Sequence, residues 1–257
     1  MPTNNPPQTN GWKSLPRQLT SPMNAPGDLR AKFQLAPQPP SVQKIAGLVK
    51  GRESASMDEI VRIIDTDRLV TQRLITMAFP RAAARKDATV QMATSRLGIT
   101  RVIMVIVGDL LTQAVIETFE TMVSLPLETD NPSLMPAAEP GQLIGSVKFK
   151  GRTNGEVTLM FSPYLSLFIT ARLMDGNLED EYPPEVITDA IGEIVNIVTG
   201  NLQSRLYDAG LPSEVELPQV MLQSTFPKDT IPGSSSEQFF FHHDTHGLGV
   251  NLCIAPF

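Results

Sequence analysis

Cysteine is nearly absent: the 257 residues hold one, Cys253. An intramolecular disulfide framework is therefore excluded, and the usage fits a reducing, cytoplasmic setting. Histidine is almost as scarce, with three residues that all fall in FFFHHDTHG: His242, His243 and His246, with Asp244 between them. Residues 1–121 contain none, so no histidine-ligated metal site can be built there. Excess positive charge is also missing. The net charge is −6, divided into a front half (1–120) with 15 Lys+Arg against 10 Asp+Glu and a back half with 6 against 17. Phosphate-backbone binding concentrates cations on one surface, so nucleic acid is not an expected partner. The richest apolar stretch, Val102 to Leu111, is interrupted by Gly108 and Asp109. It falls short of the roughly 18 residues that span a bilayer, so no membrane anchor is expected. The chain opens without the cationic segment and apolar core of a secretory signal. It also shows no Gly-rich phosphate loop and no Ser/His/Asp constellation.

Proline is plentiful but unevenly placed, with nine of 22 in the first 40 residues, among Asn, Gln, Ser and Thr. Residues 1–34 read as an extended, disordered leader. Helical texture begins at Ser41, which caps Val42, Ile45, Leu48 and Val49 ahead of Gly51. Ser56 and Glu59 form a capping box before Ile60, Ile63 and Ile64. A third helix, through Leu69, Val70, Leu74, Ile75 and Met77, ends before Pro80, and a fourth runs from Val90 to Leu97 and stops at Gly98. The fifth, Arg101 to Met122, is apolar on most faces, as a helix central to a bundle would be. Residues 124–141, SLPLETDNPSLMPAAEPG, have the composition of a linker.

Beyond it the period changes. Gly145 to Phe149 and Glu156 to Phe161 alternate around a turn at Arg152 to Gly155 and read as a hairpin. Helices near Pro163 to Met174 and Glu185 to Tyr207 come next, then strands near Val220 to Ser224, Gln238 to His242 and Gly249 to Ile254. The order β-β-α-α-β-β-β predicts an α+β domain, with two main helices packed on a mostly antiparallel sheet. The three histidines fall at a strand-to-strand turn, where neighbouring side chains point to opposite faces, so hairpin decoration is favoured over a metal site. Cys253 sits in an apolar strand without a basic neighbour, as a buried structural thiol does.

The segment DAIGEIVNIVTGN, Asp189 to Asn201, is the most informative. At 100° per residue, Ile187, Ile191, Ile194, Val198 and Leu202 share one sector, the expected buried face. Asp189, Glu193, Asn196 and Gly200 share the opposite one: two carboxylates, an amide and a bare backbone position, able to face a partner. Any amphipathic helix has a polar outer face, so spacing alone favours a purely solvated stripe.

This segment resembles the signature helix of the CheC/CheX/FliY family, phosphatases that act on the aspartyl phosphate of receiver domains. That signature is an acidic or Ser residue, three residues, Glu, two residues, Asn, and a proline roughly twenty residues on. Here the matching positions are Asp189, Glu193, Asn196 and Pro218. The hairpin GSVKFKG and GEVTLMFS and the helix SLFITARLMDG are similar to the same family, and the single motif copy favours CheX. The resemblance implies that Asn196 positions the attacking water and Glu193 anchors the receiver's lysine, with both residues catalytic. It also implies that Asp189 and Pro218 support the helix or contact the partner; Gly200, on the same stripe, would permit a partner's close approach. Magnesium would be supplied by the phosphorylated response regulator, leaving this chain with no cofactor or metal of its own. A homodimer through the sheet is implied too, with Gly249 to Ile254 as its edge strand.

The front segments QLAPQPPSVQKIAGLVKG, SASMDEIVRIIDTDRLVTQRLITMA and ATVQMATSRLGITRVIMVIV resemble the first half of an HDOD domain, a helical signalling module without metal ligands. The expected organisation is thus a leader (1–34), an HDOD-like helical module (35–122), a linker (123–141) and a CheX-like phosphatase domain (142–257). The alternative function is a non-catalytic adaptor that binds a receiver or itself.

Overall fold

In the computed structural model, the described residues are 61–255, apart from 63, 66–67, 81–87, 130–139, 152, 209–210, 228–231 and 244–245. They belong to one compact unit, Gln38–Phe257. The expected leader, the helix from Ser41 to Gly51, the Ser56–Glu59 capping box, most of the linker, Arg152 and Asp244 lie outside the described residues.

Helix α1, Arg68–Ala78, buries Val70, Leu74 and Ala78 along one side and stops before Pro80. Helix α2 spans Val90–Val123; Thr89 caps it by accepting from the Met92 amide, and Ser124 closes it in the left-handed region. Gly98, with φ 75° and ψ 168°, breaks the helical run at the position where the sequence ends one helix and begins another. A side chain rarely adopts that backbone conformation, which is why glycine marks the break. The second part of α2 is mostly buried, with every residue from Val102 to Val107 inside the core.

Among the described residues the sheet has seven antiparallel strands: β1 Glu128–Thr129, β2 Leu143–Gly151, β3 Gly155–Phe161, β4 Ser213–Val215, β5 Gln219–Leu222, β6 Ser235–His243 and β7 His246–Ile254. Its order is β1-β6-β7-β3-β2-β4, and β5 shares the outer edge of β2 with β4. Helices α3, Pro163–Leu173, and α4, Pro184–Asp208, lie between β3 and β4 in sequence. Ser162 caps α3 by accepting from the Leu165 amide, ahead of a proline in the first turn, a position where the missing N–H has no cost. Register places Val147, Val157, Leu252 and Glu237 across one face, together with Leu159, Val250 and Phe239. Helix α4 meets this face at Gly145, where an added Cβ would lie 2.4 Å from Val195 Cγ2. Glycine thus lets α4 settle directly on β2. The fold is α+β, as the element order predicts.

Three expectations change. Strand β7 is interior, hydrogen-bonded to β3 along one side and β6 along the other, so it is not the edge that the sequence reading assigned for dimerisation. The helical segment expected in a separate front module packs into the same unit. Helix α2 lies on α4 and β6, and Arg73 of α1 pairs with Asp109 of α2 and, at 2.8 Å, with Glu237 of β6. The Arg73 guanidinium also sits 5.3 Å from the centre of the Phe239 ring. The expected linker contributes β1, paired with Phe241 and His242 of β6. Packing therefore runs across the expected boundary. Finally, Thr100–Val123 is long and apolar enough to cross a bilayer, whereas the sequence reading took only its shorter core. The structure buries 72% of its apolar window, and this packing accounts for the composition.

Candidate functional site

Helix α4 is built as its period predicts, with refinements. Ile191, Ile194, Val198 and Leu202 are buried, whereas Ile187 is only half-buried; Ala190, Val195, Thr199 and Arg205 join the inner side. On the outer side Asp189, Asn196 and Gly200 are exposed and Glu193 is half-buried. Asp189, Glu193 and Asn196 line an open groove of about 390 Å³, together with Thr188 and Gly192 of the same helix. Its facing wall is Leu217, Pro218 and Val220, contributed by the segment that joins β4 to β5 and by β5 itself. The walls meet where a Cβ on Gly192 would stand 3.7 Å from Val220 Cγ2. Four of the five residues singled out in sequence thus surround one cavity. Gly200, one turn further along α4, lies outside it, and a Cβ there would meet nothing within 4 Å.

Pro218 is brought in by a register shift that the sequence reading missed. Phe149 pairs with Val215 and Ser146 with Gln219, so Glu216, Leu217 and Pro218 stand opposite only Lys148 and Val147. One extra residue on the outer strand makes a β-bulge. A proline, which cannot donate to the ladder, is tolerated there. In a regular strand consecutive side chains alternate faces, but the extra residue lets Leu217, Pro218 and Val220 all line the groove. The bulge is joined to β2 twice: the Glu216 amide donates to Lys148 O at 2.8 Å, and Glu216 pairs with Lys150 at 2.6 Å. This exposed pair raises the Lys150 pKa and lowers that of Glu216, through their mutual hydrogen bond first and their opposite charges second. The short spacing from β4 to β5, with Pro218 between, was the available signal.

Sequence reasoning also missed Arg205, whose side lies inward with Leu202 and which is 1% exposed. It donates to Gln113 Oε1 at 2.8 Å and pairs with Glu117, both on α2. Asn201 donates to Thr118 Oγ1 at 2.9 Å beside it. These contacts fix the rear of the signature helix. The spacing Val198, Leu202, Arg205 was sufficient to place the arginine on the inner face.

The histidines separate to different neighbours. His243 Nδ1 donates to Pro126 O at 2.9 Å, His242 Nε2 stands 4.0 Å from a Glu128 carboxylate oxygen, and His246 stacks on Tyr164 with ring centres 3.8 Å apart. Burial pushes the Tyr164 phenol pKa upward. Among the described residues no group of three His, Cys, Asp or Glu side chains is arranged to hold a metal ion. Cys253 is buried in β7.

The groove thus sets two carboxylates and an amide on one wall and a bulged proline on the other, in an α+β domain. Residues 143–242 match the family model of the chemotaxis phosphatase CheX, and the C-terminal part of this chain is a CheX-like domain. Among solved structures, this chain is similar to a chemotaxis protein CheX from Vibrio vulnificus, at 22% identity over 58% of this chain and 96% of that one, with a TM-score of 0.48. It is similar also to CheX in a CheX–CheY–BeF3–magnesium complex from Borrelia burgdorferi, at 19% identity over 58% and 97%, with a TM-score of 0.48. A third is FliY from Thermotoga maritima, at 16% identity over 58% and 85%, with a TM-score of 0.42. No match was found among curated proteins. The family match does not reach the front helices, for which an HDOD-like module is the expectation.

Proposed function

We propose that this chain is a phosphatase of the aspartyl phosphate of a receiver-domain response regulator, acting in the cytoplasm in chemotaxis or a related two-component pathway. The observation that carries the reading is the single groove lined by Asp189, Glu193, Asn196 and Pro218, the residues of the family signature. Hydrolysis of an acyl phosphate needs a positioned water and compensation of charge, not covalent participation by the protein. Asn196 supplies an amide oxygen that accepts from the water and an N–H that donates toward the phosphoryl group. Being uncharged, it does not repel the dianion. The water's oxygen bonds to phosphorus as the bond to the aspartyl oxygen breaks, releasing inorganic phosphate and the free carboxylate. Glu193, three residues earlier on the same wall, pairs with the receiver's lysine and holds the helix over the phosphorylation pocket. Asp189 meets the partner's rim, Gly200 admits its close approach, and Pro218 shapes the opposite wall. Magnesium belongs to the receiver.

The front helices serve as an HDOD-like scaffold fixed to the sheet. A homodimer would form through an outer strand, β7 being interior. The test uses purified receiver domains phosphorylated with acetyl phosphate. The parent accelerates phosphate release from at least one, and Asn196→Ala lowers kcat by about a hundredfold or more, the scale of losing one positioned group, while thermal unfolding stays unchanged. Equal release by variant and parent refutes the role of Asn196. Binding without acceleration would instead favour the adaptor.

A further inference from the structure

The groove is chemically two-sided. One wall offers the carboxylates of Asp189 and Glu193 and the amide of Asn196; the other is apolar, formed by Leu217, Pro218 and Val220. Leu217 stands out because it is 87% exposed, more than any other large hydrophobic residue described. Single exposed leucines are ordinary on protein surfaces. This one, however, lies on a bulge whose extra residue turns it toward the groove beside Pro218, where the regular strand would send one of the two to the far face. The preceding residue is tied to β2 by the hydrogen bond from the Glu216 amide to Lys148 O, so the side chain is displayed from a bonded base.

We infer that Leu217 is the apolar anchor of the receiver domain, a residue that sets affinity and partner choice while leaving the chemical step to the opposite wall. The inference rests on the phosphatase reading, which supplies the occupant. Charge complementarity supports that occupant: the acidic wall accepts a lysine, the neutral Asn196 faces the phosphoryl group, and the apolar wall requires a nonpolar patch on the same receiver surface. A few side chains that become fully desolvated in a complex carry most of its binding energy, surrounded by contacts of smaller effect.

The test measures steady-state dephosphorylation of acetyl-phosphate-labelled receivers by the full chain. Leu217→Asp raises KM about tenfold to a hundredfold, as loss of one buried leucine implies, with kcat within about twofold because the helix wall is untouched. Leu217→Met, which restores apolar volume, brings KM back to within about threefold of the parent. Met92→Ser alters an exposed apolar residue of α2 outside the groove and leaves both constants unchanged. A Leu217→Asp variant with the parent's KM, or one whose kcat falls with KM constant, overturns the anchor while the phosphatase reading stands. Equal effects of Leu217→Asp and Met92→Ser overturn it as well. Failure of the parent to accelerate any receiver overturns both readings.

Discussion

Replacing Gly145 with alanine places a methyl carbon 2.4 Å from Val195 Cγ2, with Val195 Cβ and Cγ1 at 3.4 Å. Carbon atoms pack at roughly 3.5–4.0 Å, so helix and strand must separate by about 1 Å. Rotation of the valine offers little relief, since a β-branched side chain in a helix has one strongly preferred χ1. Val195 is fully buried. Overpacking of this kind costs about 1–3 kcal/mol. At about 2–4 °C per kcal/mol for a unit of this size, Tm falls by about 2–12 °C. Asn196 follows Val195 directly, and misplacing a reacting group by about 1 Å can cost about a hundredfold in rate. Gly145→Ala is therefore expected to lower both the Tm followed by circular dichroism and the rate of phosphate release from a phosphorylated receiver. In the double variant Gly145→Ala/Val195→Ala the conflicting methyls are gone, so the two costs should fall short of additivity by about 1 kcal/mol. Parental Tm and rate in the single variant, or simple additivity in the double, would refute the claim that glycine seats the signature helix.

Arg205→Ala strands Glu117 and is expected to destabilise the chain by about 3–5 kcal/mol, read by urea unfolding. Arg205→Met with Glu117→Leu, apolar groups of similar volume, should regain most of that loss; no recovery would show that the pair itself, rather than the orphaned charge, supplies the stability. Glu216→Gln should leave Tm almost unaltered, because the Lys150–Glu216 pair is exposed and screened. An NMR titration should place the Glu216 midpoint below 4.5. With the folded pKa depressed, the pair's small contribution is present above the usual carboxylate range and is lost as pH falls through the lowered value. A midpoint at or above 4.5 would contradict the pairing.

Local order was legible in the sequence wherever one element's own pattern decides it. Gly98 and Pro80 mark helix breaks because their backbone preferences are intrinsic, and the period of α4 puts Asp189, Glu193 and Asn196 on one side without reference to any neighbour. The β2–β3 hairpin follows from alternation around a short turn. Strands β1 and β4 escaped, being two and three residues long. Such elements exist only through the strand beside them.

The sequence by itself thus determined the α+β class, the helix that carries the carboxylates and amide, and, through its resemblance, the kind of domain. Tertiary structure decided the rest. Alternation tells which face a side chain takes but not which strand lies alongside, so the interior place of β7 and the joining of α2 to the sheet emerged only from long-range pairing and packing. The groove's second wall was hidden for the same reason. A bulge is a mismatch between two strands, and Leu217 and Pro218 face Asn196 because β4 and β5 pair with β2 one residue out of step.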